Sequence, residues 1–449
     1  AIMHTSKTIA AFAIVAMTSL IPYNLFMNAH QYFYYKLRNA TDLSDVNGTS
    51  LLDDILAADS NQSSLSLGSQ PTTDLQRAYE GWFTLTSNIA CILGSLVNTL
   101  VTDSLSNSFR VITGHVIVLL SLMPAILYTF MDTDNDQTGF FWMTMLFSSI
   151  SSFASIGLIG AGIQGLAATY SKTHINVVII GQSIAGITTC LMSIFCQAAT
   201  ENAILNGRVY FGIAFTWTIV SVICYLFVIR SAHAKDRIDD CDPLVNEEED
   251  EEPEEQQHPE DIQALNSRIH SDSSLCDRCT HILQQCGPDM LTALFVILVS
   301  CAAFPALCSQ VRTQTHNATW KAYFSSVCCF LLYSCADGLG RVFAMRIGIT
   351  RRQLQNLALA RLLLLPLIAA CDVQPRWHSP TLIRNDYIFV LLNMSLALSN
   401  GFCYTHAYVK AVQSVESHLR ETAGSMMSLT GNTVGTIGCM LGVVIVTLM

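Results

Sequence analysis

An acidic and a basic side chain, Asp337 and Arg341, lie four residues apart in the stretch CADGLGR, inside an apolar run from Tyr323 to Met345. Residues i and i+4 lie on the same face of a helix, so the two side chains can form an ion pair. A charged side chain at the centre of a bilayer costs at least about 2.5–3.5 kcal/mol. The pair therefore predicts a buried structural ion pair, a site that binds a polar solute, or both at once.

Other polar side chains lie at the middle depth of apolar runs, namely Asn24, Gln164, Gln182, Ser334, Ser399, Asn400 and a second cation, Arg361. Several neutral amides beside one neutralised charge pair suit an uncharged solute with several hydrogen-bond donors and acceptors. They do not suit a cation, because no unpaired acid lies at that depth. The sequence has no HExxH and no GxSxG motif, so it does not predict an intramembrane enzyme, and we expect no cofactor. Pro366 predicts a kink in the helix that carries Arg361.

Membrane-spanning helices must position these residues. The chain of 449 residues is 51% hydrophobic and only 13% charged, whereas soluble proteins contain roughly 25% charged residues. A helix needs about 20 mostly apolar residues to cross a bilayer. Eleven segments meet this requirement, at residues 9–35, 79–102, 109–131, 138–168, 175–199, 208–230, 290–311, 319–346, 353–372, 386–411 and 421–448. The sequence therefore predicts an all-α polytopic membrane protein with eleven transmembrane helices.

The positive-inside rule sets the orientation of these helices. With the N-terminus in the cytosol, thirteen Lys and Arg residues fall inside and eight fall outside. Four glycosylation sequons then lie outside, at Asn39, Asn47, Asn61 and Asn317, and a fifth, at Asn393, lies inside an apolar segment as a chance match. We therefore predict a glycosylated multi-pass protein of the plasma membrane, with a cytosolic N-terminus and an extracellular C-terminus.

A long acidic segment divides the predicted helices into six and five. The segment from Ser231 to Gly287 holds 16 acidic and 4 basic residues, a composition typical of a disordered tether. The predicted domains are a six-helix bundle at 1–230 with an extracellular loop at 37–78, a cytosolic loop at 231–289, and a five-helix bundle at 290–449. Two bundles that rock about a midplane site are typical of major-facilitator folds.

Cysteine spacing near the end of this loop, at Cys276, Cys279, His281 and Cys286, is similar to that of a zinc site. A second paired motif is missing, so free thiols are favoured and we predict no metal site.

A series of short motifs resembles the equilibrative nucleoside transporters. PYNLFMNAHQYF at residues 22–33 is similar to the family's first helix, P-W-N-x-F-M-x-A-x-x-Y-F. Further matches follow in chain order: GAGIQG (160–165), GQSIAG (181–186), FPAL (304–307), DGLGR (337–341), LARLLLLPL (359–367), SNGF (399–402) and ETAG (421–424). The resemblance implies facilitated diffusion of nucleosides, with nucleobases as an additional class, by alternating access.

The resemblance also implies roles for individual residues. Gln164 corresponds to the family's nucleobase contact, and Asp337 and Arg341 correspond to its ribose contacts. The family's apolar wall around the base corresponds to Leu20, Tyr23, Met27 and Phe330, and the mid-depth residues Asn24 and Ser334 complete the predicted site. Two gates are implied, an outer constriction at Phe304 and Pro305 with Met27, and a cytosolic bridge between Arg110 and Glu421 when the carrier faces outward.

Three departures from the family pattern indicate a wetter and roomier pocket. Tyr23 replaces a tryptophan, Ser334 stands where an asparagine is typical, and Gly435 stands where a leucine is expected. One branch of the family, which carries organic cations such as monoamines, also reads P-Y-N in its first helix. The fifth helix of this chain lacks the mid-membrane acid that would favour transport of such cations.

Two further functions are compatible with the sequence. A proton-coupled nucleoside transporter would load its proton on Asp337, but Arg341 one turn away favours the ionised carboxylate and hence uniport. A non-transporting receptor or a channel is the competing class, and the sequence carries no filter-like loop or receptor motif for it. The predicted partners are nucleosides and membrane lipid, with no nucleic acid, and we predict a monomer.

Overall fold

The computed structural model describes residues 2–38, 73–102, 104–200, 202–239, 275–374, 376 and 380–449, and most of them are helical. Within these ranges the only β pairing consists of two isolated bridges, Val311–Val373 and Cys371–Ile383. The prediction of an all-α protein is confirmed.

The first predicted span is a helix in three pieces: α1 (Ile2–Thr18), α2 (Ile21–Asn28) and α3 (His30–Lys36). Ser19 and Leu20 form the turn between α1 and α2. Pro22 lies in the first turn of α2, where its missing N–H removes no helical hydrogen bond. The turn and the proline together interrupt the span at the depth where its polar motif begins.

The other helices before the acidic loop follow the apolar runs of the sequence: α4 (Asp74–Leu100), α5 (Asn107–Tyr128), α6 (Gln137–Ser152), a π-helical segment (Phe153–Gly160), α7 (Ala161–Thr169), α8 (Lys172–Ala199) and α9 (Ala203–Asp239). Side chains cap several of them, as Thr73 does for α4 by accepting a hydrogen bond from the backbone N–H of Gln76.

The helices after the loop are α10 (Leu275–Ala303), α11 (Ala318–Phe324), a π-helical segment (Ser325–Leu331), α12 (Leu332–Arg346), α13 (Arg351–Ala360), α14 (Leu364–Ala369), α15 (Asp386–Gln413) and α16 (Arg420–Leu448). α9 continues to Asp239 and α10 begins at Leu275, so both helices enter the range predicted as loop. The rest of that loop lies outside the described residues.

Ten helices of the described chain are long and apolar enough to cross a membrane. They match ten of the eleven predicted spans. Large apolar side chains face outward on them, as at Leu120 (63% exposed), Phe195 (68%) and Leu291 (68%). Such exposure suits a surface covered by lipid chains, and the protein is a multi-pass membrane protein.

The remaining predicted span, 353–372, is a broken helix. A 3₁₀ segment at Arg361–Leu363 separates α13 from α14. Pro366 has no N–H to donate and its ring crowds the carbonyl of residue 362, so the turn before it departs from α-helical geometry. This segment is not among the ten long apolar helices, and the count of eleven spans stays a prediction.

Two apolar clusters form the interior. The larger one joins helices from before the acidic loop to α10, α13, α15 and the beginning of α16, and the smaller one lies within the helices after the loop. We call the end where Arg110 and Glu421 lie the Arg110 end, and the opposite end the Asn317 end. At the Arg110 end the two halves of the chain are packed together.

Candidate functional site

The Asp337–Arg341 pair lies on α12, where the two halves of the chain meet. The Arg341 Nε donates to Asp337 Oδ2 at 2.8 Å, and the two side chains are 11% and 8% exposed. The Ser183 hydroxyl of α8 donates to the same carboxylate oxygen at 2.7 Å, and Asn400 Nδ2 of α15 donates to the other oxygen at 2.7 Å. Arg341 also donates to the carbonyl of Ile179 at 2.6 Å. The carboxylate is thus satisfied by three side chains from both halves.

Glycine brings α15 against α12 closely enough for these contacts. A methyl group on Gly401 would lie 2.0 Å from the Asp337 carbonyl oxygen, and one on Gly340 would lie 2.2 Å from the Leu398 carbonyl oxygen. Only glycine fits such a contact between helix backbones. The DGLGR and SNGF motifs therefore pack on one another, and Asn400 reaches Asp337 as a result.

Gln164 lies on α7, directly after the π-helical segment Phe153–Gly160. Its side chain is buried, and its Oε1 accepts a hydrogen bond from the Tyr408 hydroxyl at 3.3 Å. The Gln164 Nε2 keeps its capacity to donate, and Oε1 keeps a second lone pair. π-Helical turns are frequent at functional sites, and the spans of Gln164 and Asp337 both contain one.

The predicted apolar wall is divided between the two halves. Leu20, Tyr23 and Met27 are half-buried and pack against the larger apolar cluster, and the Tyr23 ring lies 5.6 Å from the Phe83 ring. Asn24 is half-buried beside them. This wall belongs to the first span and packs in part against Phe83 of α4.

The other wall comes from the half after the loop. Phe330 is half-buried in the second π-helical segment, and its ring lies 5.5 Å from that of Phe304. Phe304 stacks on Tyr333 at 3.8 Å and precedes Pro305 in a cis peptide bond. Ser334 is half-buried and faces Gly186 of α8. Phe304 and Met27 pack against different clusters, so a constriction between them stays a prediction.

Arg110 and Glu421 form an ion pair at the Arg110 end, between α5 and α16. The Arg110 Nη2 donates to Glu421 Oε1, and the Arg110 side chain is 2% exposed against 29% for Glu421. Arg110 Nη1 also donates to Asn98 Oδ1 at 2.8 Å, and Asn107 Nδ2 donates to Glu421 Oε1 at 3.1 Å. Because the pair joins the two halves, its presence marks this end as closed in the structure.

Further contacts across the closed end involve α4, α7 and α16. Asn98 Nδ2 donates to the Ser425 hydroxyl at 3.2 Å. A methyl group on Gly424 would lie 2.9 Å from both the carbonyl oxygen of Gln164 and the Cα of Gly165. The backbones of α7 and α16 therefore touch directly at this point.

Sequence reasoning missed two partners of the site, Ser183 and Tyr408. Ser183 lies inside the GQSIAG motif, so its position in a matched motif was a usable signal. Tyr408 carried no signal beyond being an aromatic residue with a polar group in an apolar span. Both act through contacts between helices that are distant in the sequence.

Other predicted sites fall partly outside the described residues. Asn39, Asn47 and Asn61 lie there, whereas Asn317 is exposed and caps α11. Among the described residues no group of three or more His, Cys, Asp or Glu side chains could hold a metal ion. The side chain of Cys276 is outside the described part.

Comparisons with known proteins agree with one another. Residues 143–448 match the model of a family described as nucleoside transporter. The chain is 26% identical to human equilibrative nucleoside transporter 1 over 438 residues, covering 93% of this chain and 92% of the relative. It is 25% identical to human equilibrative nucleoside transporter 2 over 442 residues, with the same coverage.

A solved structure shares the fold. The major-facilitator proton:xylose symporter XylE aligns with a TM-score of 0.54 at 12% identity, over 99% of this chain and 95% of that chain. At this identity the likeness shows a major-facilitator fold and nothing about the solute.

Proposed function

Because the chain belongs to the nucleoside transporter family, we propose that it carries nucleosides across a membrane by facilitated diffusion with alternating access. It is a transporter and not an enzyme. The observation that carries the mechanism is the buried Asp337–Arg341 pair, since its partners Ser183 and Ile179 belong to the other half of the chain. A site between two halves is accessible in turn from either side as the halves rock.

In this mechanism the six-helix bundle 1–230 and the five-helix bundle 290–449 are the moving bodies. The ion pair of Arg110 and Glu421 closes the cytosolic end in the outward-facing state, and Phe304, Pro305 and Met27 close the outer end in the other state. The closed Arg110 end supports this assignment, because a carrier that is closed on one side must admit its solute from the other.

Recognition divides between the two ends of the nucleoside. Gln164 reads the base edge, because its carboxamide offers a donor and an acceptor together. Asp337 and Arg341 bind the ribose hydroxyls, for which a carboxylate accepts and a guanidinium donates. The apolar walls enclose the base, with nucleobases as an additional substrate class.

The contacts of Asp337 favour a neutral solute over an organic cation, and uniport is the mode of transport that we propose. The Arg341 guanidinium already pairs with the carboxylate, so no unpaired negative charge is left to attract a monoamine. Basic residues and sequons set the proposed orientation, with the Arg110 end in the cytosol of a plasma-membrane protein that works as a monomer. The exposed Asn317 is one site available for glycosylation at the outer end.

Uptake of labelled uridine, adenosine and hypoxanthine into proteoliposomes tests the proposal. We expect saturable nucleoside uptake that runs down the solute gradient and is the same with and without sodium or a proton gradient. Accumulation of unmodified nucleoside above the outside concentration, lost when the proton gradient is collapsed, would replace uniport by coupled transport. No saturable uptake of any nucleoside would contradict the function itself.

Gln164→Leu tests base recognition. An apolar side chain leaves a donor and an acceptor of the base edge unmatched, at a cost of about 1–3 kcal/mol. We therefore expect KM for uridine to rise about 10- to 100-fold at an unchanged amount of protein in the membrane. Tyr408→Phe is the matched control, because it removes only the hydroxyl that contacts Gln164, and its effect should be smaller. Normal transport by Gln164→Leu would remove this residue from the site.

A further inference from the structure

Arg361 is a buried cation that the proposed mechanism does not use. It lies at the break between α13 and α14 and is 2% exposed. Its guanidinium donates to the Ser399 hydroxyl at 3.0 Å, to the carbonyl of Val296 at 2.9 Å, to that of Leu396 at 3.3 Å, and to the Ser300 hydroxyl. Within the described residues, no carboxylate forms an ion pair with it. A buried charge without a direct counter-ion is costly, so its presence calls for a reason.

A chain of side-chain hydrogen bonds links this cation to Asp337. Arg361 donates to Ser300 Oγ, and the Ser300 hydroxyl lies 2.7 Å from Asn400 Oδ1. Asn400 Nδ2 donates to Asp337 Oδ1 at 2.7 Å. This hydrogen-bond chain thus passes through α10 and α15 and ends at the carboxylate that we assign to the ribose.

The carboxylate sets the orientation of the amide in this hydrogen-bond chain. A guanidinium can only donate and a carboxylate can only accept. The Asn400 amide therefore turns its NH₂ group toward Asp337 and its Oδ1 toward Ser300, because a reversed amide would place two oxygen atoms against each other at Asp337. Ser300 accepts from Arg361, and its hydroxyl can donate to Asn400 Oδ1 at 2.7 Å or to the Val296 carbonyl at 2.9 Å.

We propose that Arg361 is a positioning residue for solute recognition, which acts through Ser300 and Asn400 to hold the Asp337 carboxylate in the orientation that binds ribose hydroxyls. The inference deepens the proposed function and rests on the assignment of Asp337 to the ribose.

Two serines that both contact Arg361 provide a matched test. Ser300→Ala interrupts the hydrogen-bond chain from Arg361 to Asp337. Ser399→Ala removes an equivalent hydroxyl from the same guanidinium and leaves those hydrogen bonds intact.

Each variant leaves Arg361 with its carbonyl partners Val296 and Leu396. Ser300→Ala also removes the hydroxyl that faces Asn400 Oδ1, so the amount of each variant in the membrane is measured beside its transport. The measurement is inhibition of labelled uridine uptake by uridine and by 2′,3′-dideoxyuridine in proteoliposomes. The ratio of the inhibition constant of 2′,3′-dideoxyuridine to that of uridine reports the contribution of the ribose hydroxyls.

We expect Ser300→Ala to lower this ratio about tenfold, the effect of one hydrogen bond to a charged group, and Ser399→Ala to leave it unchanged. A purely structural Arg361 would give two variants with equal ratios, and that result would overturn the proposal. Should Ser300→Ala fail to reach the membrane, Ser300→Cys keeps the size of the side chain with a poorer acceptor, and the same fall in the ratio is expected.

Asp337→Asn separates the ribose assignment from the relay through Ser300 and Asn400. If its ratio falls while that of Ser300→Ala does not, the ribose assignment stands and the relay is wrong. If the ratio stays high in Asp337→Asn itself, the ribose assignment fails and the relay fails with it. The expected result is a fall in both variants.

Discussion

Replacing both members of the buried pair, Asp337→Asn with Arg341→Gln, is expected to leave a folded protein in the membrane whose kcat/KM for uridine falls by at least about 100-fold. Neutral amides of similar size remove both charges together, so neither charge remains buried without its partner and folding changes little. The solute, however, loses two charge-assisted hydrogen bonds, each of about 1.5–3 kcal/mol. Uptake of labelled uridine, divided by the amount of surface protein, measures the effect.

The ion pair of Arg38 and Asp134 provides the control for this variant. Its Nη2–Oδ2 distance is 2.7 Å, and it joins the end of the first span to the loop before α6, away from the proposed site. Arg38→Gln with Asp134→Asn should therefore transport normally. The single Asp337→Asn should reach the surface less well than the double variant, because it leaves the Arg341 guanidinium without its counter-ion. Parental uptake by the double variant would assign the pair to structure alone.

Arg110→Glu should open the Arg110 end. It replaces a largely buried ion pair by two facing carboxylates, and breaking such a pair costs about 3–5 kcal/mol. In the proposed mechanism the contact exists only when this end is closed, so the whole cost falls on the closed state. The ratio of closed to open carriers should then fall by at least about 100-fold.

A reporter cysteine measures this shift. Ser425 is fully buried between the halves, so Ser425→Cys should react with a membrane-impermeant maleimide in inside-out vesicles only when the Arg110 end opens. Labelling is read against the same protein without the reporter. Adding Glu421→Arg to Arg110→Glu should restore protection in part, since Asn98 and Asn107 remain arranged for the original charges. Equal labelling with and without Arg110→Glu would show that the ion pair does not control the state.

Local sequence was enough to predict most of the fold. Span positions depend on the length and apolarity of a single run, and ten of the predicted runs correspond to long apolar helices. The predicted kink near Pro366 is a 3₁₀ segment one turn earlier, because the proline disturbs the turn that precedes it.

Sequence alone could predict the site only where its contacts lie within one helix or where a family motif covers its residues. Asp337 and Arg341 pair within one helix, so their spacing alone indicated the contact. Their partners Ser183 and Asn400 come from helices 154 and 63 residues away, and only the packing of those helices brings them together. Arg361 was visible as a buried cation, but its link to Asp337 depends on three such helix contacts.

The direct backbone contact between α7 and α16 separates two properties of the closed end. At Gly424 the backbone of α16 meets the backbone of α7, so in the proposed mechanism this contact limits how closely the two helices can approach. In that mechanism the ion pair of Arg110 and Glu421 sets how often the closed state is reached, whereas the two glycines set the distance between α7 and α16 in that state. Since the carbonyl of Gln164 is part of this contact, we expect closure of the Arg110 end to fix the position of the backbone that carries the amide we assign to the base.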